Sequence, residues 1–152
     1  MIIGVISDTH GLLRSEALSA LAGVDHILHA GDVGDPEILQ RLNSIAPVTA
    51  IRGNIDEHGP CAFLPPTEVV ELGDSAFYML HDGKQLDLDP GAAGFAAVVS
   101  GHSHKPLIQW GKGVLFLNPG SAGPRRFQLP VTLAKVAIGD GKLEPSILTL
   151  LP

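Results

Sequence analysis

The chain has 152 residues, 45% of them hydrophobic and 17% charged, which suits one hydrophobic core and is too short for two full domains. Ten basic residues against sixteen acidic ones leave a formal charge of −6, which disfavours a broad nucleic-acid or lipid-headgroup surface. A lone Cys61 excludes an internal disulfide, no apolar stretch is long enough to cross a bilayer, and the opening MIIGVISDTHG lacks the basic start of a signal peptide, so the expectation is a single cytoplasmic domain over 1–152 with no membrane partner.

In chain order, MIIGVIS reads as a buried strand and RSEALSALAG as a short helix, with apolar Ala17, Leu18 and Leu21 and a glycine stop at Gly23. HILHA is a second strand. DPEILQRLNSI is a helix with Asp35 as N-cap and Pro36 at its first position. VTAIRG is a third strand, and the βαβαβ alternation predicts parallel pairing with right-handed crossovers. From residue 67 the pattern becomes mostly β. TEVVEL and AFYMLH flank Gly73–Asp74 as a hairpin, followed by AAVVSG, GVLFLN, VTLAKVAI and LEPSILTLL, with a second tight turn at 140–142 and one short helical turn between Pro90 and Gly94. The fold class expected is α/β with two packed sheets and flanking helices. The apolar segment LIQWGKGVLF is a candidate surface for a homo-oligomer.

Polar residues recur where these strands end. Asp8 and His10 follow the first strand, Asp32 the second, Asn54 the third, His81 the strand AFYML, His102 and His104 the strand AAVVSG, and Asn118 the strand VLFL. Each has an ordinary reading alone: a cap, an Asx turn, a hydrogen-bonded histidine, a polar loop. Together they match the edge where α/β proteins bind ligands, beyond the carboxyl ends of the strands. Gly11, Gly31, Gly53 and Gly101 would let the backbone turn beside them. Carboxylate, imidazole and amide donors without thiolate suit Mn²⁺, Zn²⁺, Fe²⁺ or Ni²⁺, and several imidazoles argue against Ca²⁺ or Mg²⁺. Seven candidate ligands exceed one site. A shared Asp can bridge two ions about 3.5–4 Å apart, the arrangement for in-line displacement at phosphorus.

The ordered motifs DTHG, GDVGD, GNID, an isolated His81 and GHSH resemble the calcineurin-like metallophosphoesterase superfamily, and the small size with NPGS…PRR is similar to its compact bacterial and archaeal phosphodiesterase branch. The resemblance implies a four-layer sandwich of two mixed β-sheets flanked by helices. It implies two divalent ions, Mn²⁺ foremost. Asp8, His10, Asp32 and His104 would hold one ion; Asp32, Asn54, His81 and His102 would hold the other, with Asp32 as the bridge. Asp32, Asn54 and His81 are the catalytic candidates, and a water or hydroxide bridging the ions would attack a small phosphodiester substrate. Backbone N–H groups at Gly120 and Ser121, with Arg125 or Arg126, would contact the phosphate.

The chain departs from the family at Ile55, where many members carry a histidine that serves the leaving group, and at Asp82, where glycine is common. His58 could stand in for the former, though a surface turn is its ordinary fate. His29 and His26 read as hydrogen-bonded rather than ligating, Arg52 as the partner of a supporting carboxylate, and Cys61 as inert. The rival reading is a scaffold or binding module, since one branch of this fold serves in endosomal sorting complexes; that branch tends to lose a metal-site histidine, and all seven positions are filled here. An amidohydrolase barrel needs a longer chain, and a histidine-triad hydrolase needs a third alternating histidine where Lys105 and Pro106 stand.

Overall fold

The computed structural model describes residues 1–152. Strand β1 (Ile2–Ile6) is followed by α1 (Ser15–Ala20), β2 (His26–His29), α2 (Pro36–Asn43) and β3 (Val48–Ala50). The three strands pair in parallel, as their alternation with helices requires. At the start of α2 the Asp35 carboxylate accepts from the Glu37 N–H at 2.9 Å, and Pro36 occupies the first turn. The helix buries Ile38 and Leu42, which sit four residues apart on one face.

Strands β4 (Thr67–Leu72) and β5 (Ser75–Leu80) form the expected hairpin, and β6 (Ala97–Val99) and β8 (Val114–Asn118) follow. Strand β7 (Leu107–Gly111) falls between them and is a strand the sequence reading had not separated out. It reaches β8 through Lys112–Gly113, both with positive φ (51° and 80°), the conformation that two-residue hairpins favour. The same turn chemistry at Asp140–Gly141 joins β9 (Val131–Gly139) to β10 (Lys142–Leu151).

Two mixed five-stranded sheets result. Their orders are β10-β9-β1-β2-β3 and β4-β5-β6-β8-β7. The last two strands therefore return to the first sheet, where β9 runs antiparallel to β1. Strands β5, β6 and β8 are mutually parallel although no long helix joins them. Their crossovers use a 3₁₀ turn at Gly83–Gln85, the turn near Pro90–Gly94 and the β7 excursion.

The core explains the layers. Ile3, Val5 and Leu28 of the first sheet, with Ile51 just past β3, meet Phe77, Met79, Val99, Leu115 and Leu117 of the second. On the other face of the first sheet, Ile6, Ile27 and Leu133 pack under α1 and α2 with Leu21 and Leu42. Gly4 lies in this layer, and a Cβ there would overlap Leu21. The fourth layer is thin: Leu80, Val98 and Val114 are covered by Leu86, Phe116 and Tyr78, and Tyr78 stacks on Phe95 at 5.2 Å. Of the apolar segment around residue 110, only the β7 part is exposed (Leu107, Ile108, Trp110), while Val114, Leu115 and Leu117 are core. No helix is long and apolar enough to cross a membrane.

Candidate metal centre

The carboxyl ends of β1, β2 and β3 in one sheet and of β5 and β6 in the other converge on one edge, and each delivers its polar residue there. Asp32 Oδ2 lies 3.3 Å from His10 Nε2 and 3.2 Å from His81 Nε2. Asp8 Oδ1 lies 3.5 Å from His104 Nε2 and 3.7 Å from both His10 and His81. Two groups could each hold an ion: Asp8, His10 and His104, and Asp8, Asp32 and His81. His104 stands beside His10, with ring centroids 5.4 Å apart, while His102 stands beside His81 at 5.2 Å. The two histidines of GHSH thus face different partners. Asn54 opens the 3₁₀ turn Asn54–Asp56 and lines the same cavity as His81 and His102.

Each carboxylate is divided between a structural oxygen and a free one. Asp8 Oδ2 accepts from Ser7 Oγ (2.8 Å) and the His102 N–H (3.1 Å). Asp32 Oδ1 accepts from the Ile55 N–H at 3.1 Å. Their other oxygens face the imidazoles. His81 Nδ1 donates to the Ala30 carbonyl at 2.7 Å, which turns Nε2 inward. Asp8 Oδ1, His10 Nε2, His81 Nε2 and both ring nitrogens of His104 are buried without any hydrogen-bond partner. Five such orphans at one spot are costly unless something binds there. Their hard and borderline donors, with no thiolate among them, fit a divalent transition metal.

The backbone is strained to achieve this. Asp8, His10, Asp32, His102 and His104 all have left-handed φ, between 47° and 70°, and account for five of the eight non-glycine residues in that region. Each such residue costs about 1–3 kcal/mol, and strain of this kind clusters at functional sites. Two of the nearby glycines are required for space rather than for turning. A Cβ at Gly53 would overlap the Asp32 side chain, and one at Gly101 would overlap Ser7 Oγ.

Without an ion, the charges settle among themselves. The neighbouring carboxylates, Asp32 first and then Asp8, raise the His10 pKa to about 9. Burial would lower that of His81, but the adjacent Asp32 carboxylate and the Asp8 charge raise it on balance. Burial likewise works against ionised Asp32, yet the adjacent His10 and His81 imidazoles hold its pKa well below the usual carboxylate range. His104 is lowered, chiefly by burial, with Arg126 and His10 adding to it.

Three residues support the centre without facing it. Asp56 is 1% exposed, and its carboxylate accepts from the backbone N–H groups of Gly53 (2.9 Å), Val33 and Gly34 (both 3.0 Å). It ties the loop bearing Asp32 to the loop bearing Asn54. Asn118 Nδ2 donates to the Gly101 carbonyl and Ser103 Oγ, while its Oδ1 accepts from Gly120 N–H, so it fastens the His102–His104 turn. His29 is fully buried. Its Nδ1 accepts from the Gly31 N–H and its Nε2 bonds Thr9 Oγ1, which itself donates to the Val33 carbonyl. The ring is therefore neutral, and burial pushes its pKa down to about 4.

Among the residues expected near the phosphate, the side chains of Ser121 and Arg125 make hydrogen bonds within the protein. Ser121 is buried, and its hydroxyl donates to the Asp8 carbonyl. Arg125 donates to the carbonyls of Leu129 and Pro152; of the two arginines it is the charge of Arg126 that reaches His104. Arg52 pairs with no carboxylate. Its guanidinium leans on the Ala62 and Leu64 carbonyls (3.4 Å each) and lines the cavity with Asn54 and His81. His58 is exposed and Cys61 buried, its thiol pushed up to about 11 by burial. Asp82 caps the Gly83–Gln85 turn through Lys84 N–H and stands 3.9 Å from His102.

Fold and site together define a two-sheet α/β protein with a carboxylate–imidazole cluster, a candidate metal centre, at one sheet edge. Residues 1–141 match the calcineurin-like phosphoesterase superfamily domain, and the chain belongs to that family. It is 36% identical to a probable metallophosphoesterase of Methanocaldococcus jannaschii, over 99% of this chain and 82% of that protein. Among solved structures it resembles a novel archaeal phosphodiesterase (TM-score 0.80, 21% identity, 97% of this chain and 100% of that one). It also resembles Vps29 of Entamoeba histolytica in complex with Zn²⁺ (TM-score 0.74, 23% identity, 99% of each chain).

Proposed function

We propose that the chain is a divalent-metal-dependent phosphodiesterase acting on small phosphodiesters at a two-ion site. The observation that carries this reading is the set of five orphaned, buried donor atoms on Asp8, His10, His81 and His104. Asp8, His10, Asp32 and His104 would hold one ion, and Asp32, Asn54, His81 and His102 the other, with Mn²⁺ the ion first tested and Zn²⁺, Fe²⁺ and Ni²⁺ its competitors. Bound there, such ions supply an activated water at neutral pH and neutralise phosphoryl oxygens. The phosphodiesterase named among the similar structures supports the substrate class by analogy.

The chain's own residues then have distinct tasks. Asp8 and Asp32 each keep one oxygen on the backbone and offer the other, so the centre is preorganised. Arg52 and Asn54, in a cavity of about 470 Å³ beside His81 and His102, receive the phosphate, with Arg126 adding positive charge from the His104 side. Position 55 carries an exposed Ile, so no imidazole there protonates the leaving oxygen, a contribution of about 10²–10⁴-fold where it exists. Diesters with good leaving groups are accordingly the favoured substrates.

The test is metal content together with turnover of bis(p-nitrophenyl) phosphate and of p-nitrophenyl phosphate. Metal-stimulated hydrolysis of the diester, lost in Asp32→Asn, is expected. A second reading, a scaffold or binding module, draws on the likeness to Vps29 and on the exposed apolar strand β7, which could equally join two copies of the chain. Absence of metal-stimulated turnover of either ester, or turnover unchanged by Asp32→Asn, would select it.

A further inference from the structure

Two open cavities flank the metal centre and share one wall, formed by Asp82 and His102. The smaller is the one reached by Arg52 and Asn54. The larger, about 640 Å³, lies over the thin outer layer of the second sheet. Its floor is apolar: Leu86, Val98 and Phe116 belong to the small outer cluster, and Leu107 of β7 closes one side. Lys84 and Lys105, both exposed, line it as well.

The cavities differ in charge. The smaller sets Arg52 against Glu57, Asp82 and Asp87, whereas the larger sets two lysines against Asp82 alone. A phosphodiester carries two arms on one phosphorus. With phosphorus at the centre, the His102–Asp82 wall separates the surroundings of one arm from those of the other.

We infer that the larger cavity seats the ester arm that is retained on phosphorus, and that this arm bears a ring and a negative charge of its own. The ring rests on Leu86, Val98 and Phe116, and the charge meets Lys84 and Lys105. The leaving arm occupies the smaller, acidic cavity. This inference rests on the phosphodiesterase reading and narrows its substrates to diesters with one apolar, ring-bearing, anionic arm. A cavity of several hundred Å³ with an apolar floor is of the size that binds such a moiety.

Three esters with a common p-nitrophenol leaving group test it: methyl, phenyl and 4-carboxyphenyl p-nitrophenyl phosphate. Burying the ring is expected to raise kcat/KM about tenfold over the methyl ester. The carboxylate is expected to add about fivefold, as befits an exposed charge pair. In the Lys84→Ala/Lys105→Ala variant, whose side chains are surface groups, the carboxyphenyl-to-phenyl ratio should fall to about one. A parent ratio near one, or a ratio that survives the double substitution, overturns the inference. If none of the esters is hydrolysed, the phosphodiesterase reading falls instead, and binding decides the cavity. 4-Carboxyphenylphosphonate, whose C–P bond is not hydrolysed, should shift the NMR signals of Leu86 and Phe116 in the parent and do so more weakly in the variant. Shifts confined to the Arg52 side overturn the inference.

Discussion

Asp56→Asn separates the architecture of the centre from its ligands. The carboxylate is buried and accepts three backbone N–H groups, from Val33 and Gly53 at Oδ2 and from Gly34 at Oδ1. The carboxamide has the same shape, and its oxygen can keep the Oδ2 pair. Those two bonds then change from charged to neutral acceptors, a loss of about 1 kcal/mol each. The amide nitrogen faces the Gly34 N–H, donor against donor, which costs about another 1–2 kcal/mol because that group is only half-buried. The sum is at least about 3 kcal/mol. For a chain of this size that lowers Tm by about 6–12 °C. Thermal unfolding of the chelator-treated protein at pH 7 measures it, and Mn²⁺ titration of the same variant should show weaker binding, because the loops bearing Asp32 and Asn54 are no longer tied. A Tm within 2 °C of the parent would refute the claim that Asp56 holds them.

Mn²⁺ must displace the His10 proton, held with a pKa of about 9, so calorimetric affinity should rise about tenfold per pH unit from 7 to 9 and level off above; a flat profile contradicts the assignment. His29 works in the opposite direction: its folded pKa of about 4 lies below the ordinary 6.5, so its contribution is complete above pH 6.5 and is lost as pH falls towards 4, about 3 kcal/mol in all. Urea unfolding of the metal-free parent should show this acid slope, and His29→Gln should lose it. His102 holds a left-handed backbone at φ 70°, so His102→Gly should stabilise the metal-free protein by about 1 kcal/mol while weakening metal binding. Paired melts with and without Mn²⁺ would show the two effects with opposite sign.

The sequence made the centre legible because its residues sit where strands end, and strand ends can be read from apolar runs. Asp8, His10, Asp32, His81, His102 and His104 meet for that reason, and the α2 cap and the two hairpins are local signals of the same kind. What lay outside its reach depends on approach between distant segments. The role of Asp56 is one of these, because its three donors come from Val33, Gly34 and Gly53, two of them more than twenty residues away. Gly53 and Gly101 looked like turn residues, but their lack of a Cβ serves a neighbouring loop. Strand β7 was hidden inside one apolar run, although Lys112–Gly113 marked the turn. Ser121 and Arg125 are polar at a plausible edge, yet their hydrogen bonds go to the carbonyls of Asp8, Leu129 and Pro152, which no spacing announces.

The donors at the centre come from both halves of the sandwich: Asp8, His10 and Asp32 from loops of the first sheet, His81, His102 and His104 from loops of the second. An ion held between them would be a cross-link, closing with coordinate bonds the one edge where the sheets meet through polar side chains instead of the apolar core. Ligand-linked stabilisation at a hundredfold excess over Kd is about 2.7 kcal/mol per site, and here it would act across the sheet interface. Chelation would then unclasp the sandwich at that edge, and amide exchange in the loops after β2 and β6 would quicken together.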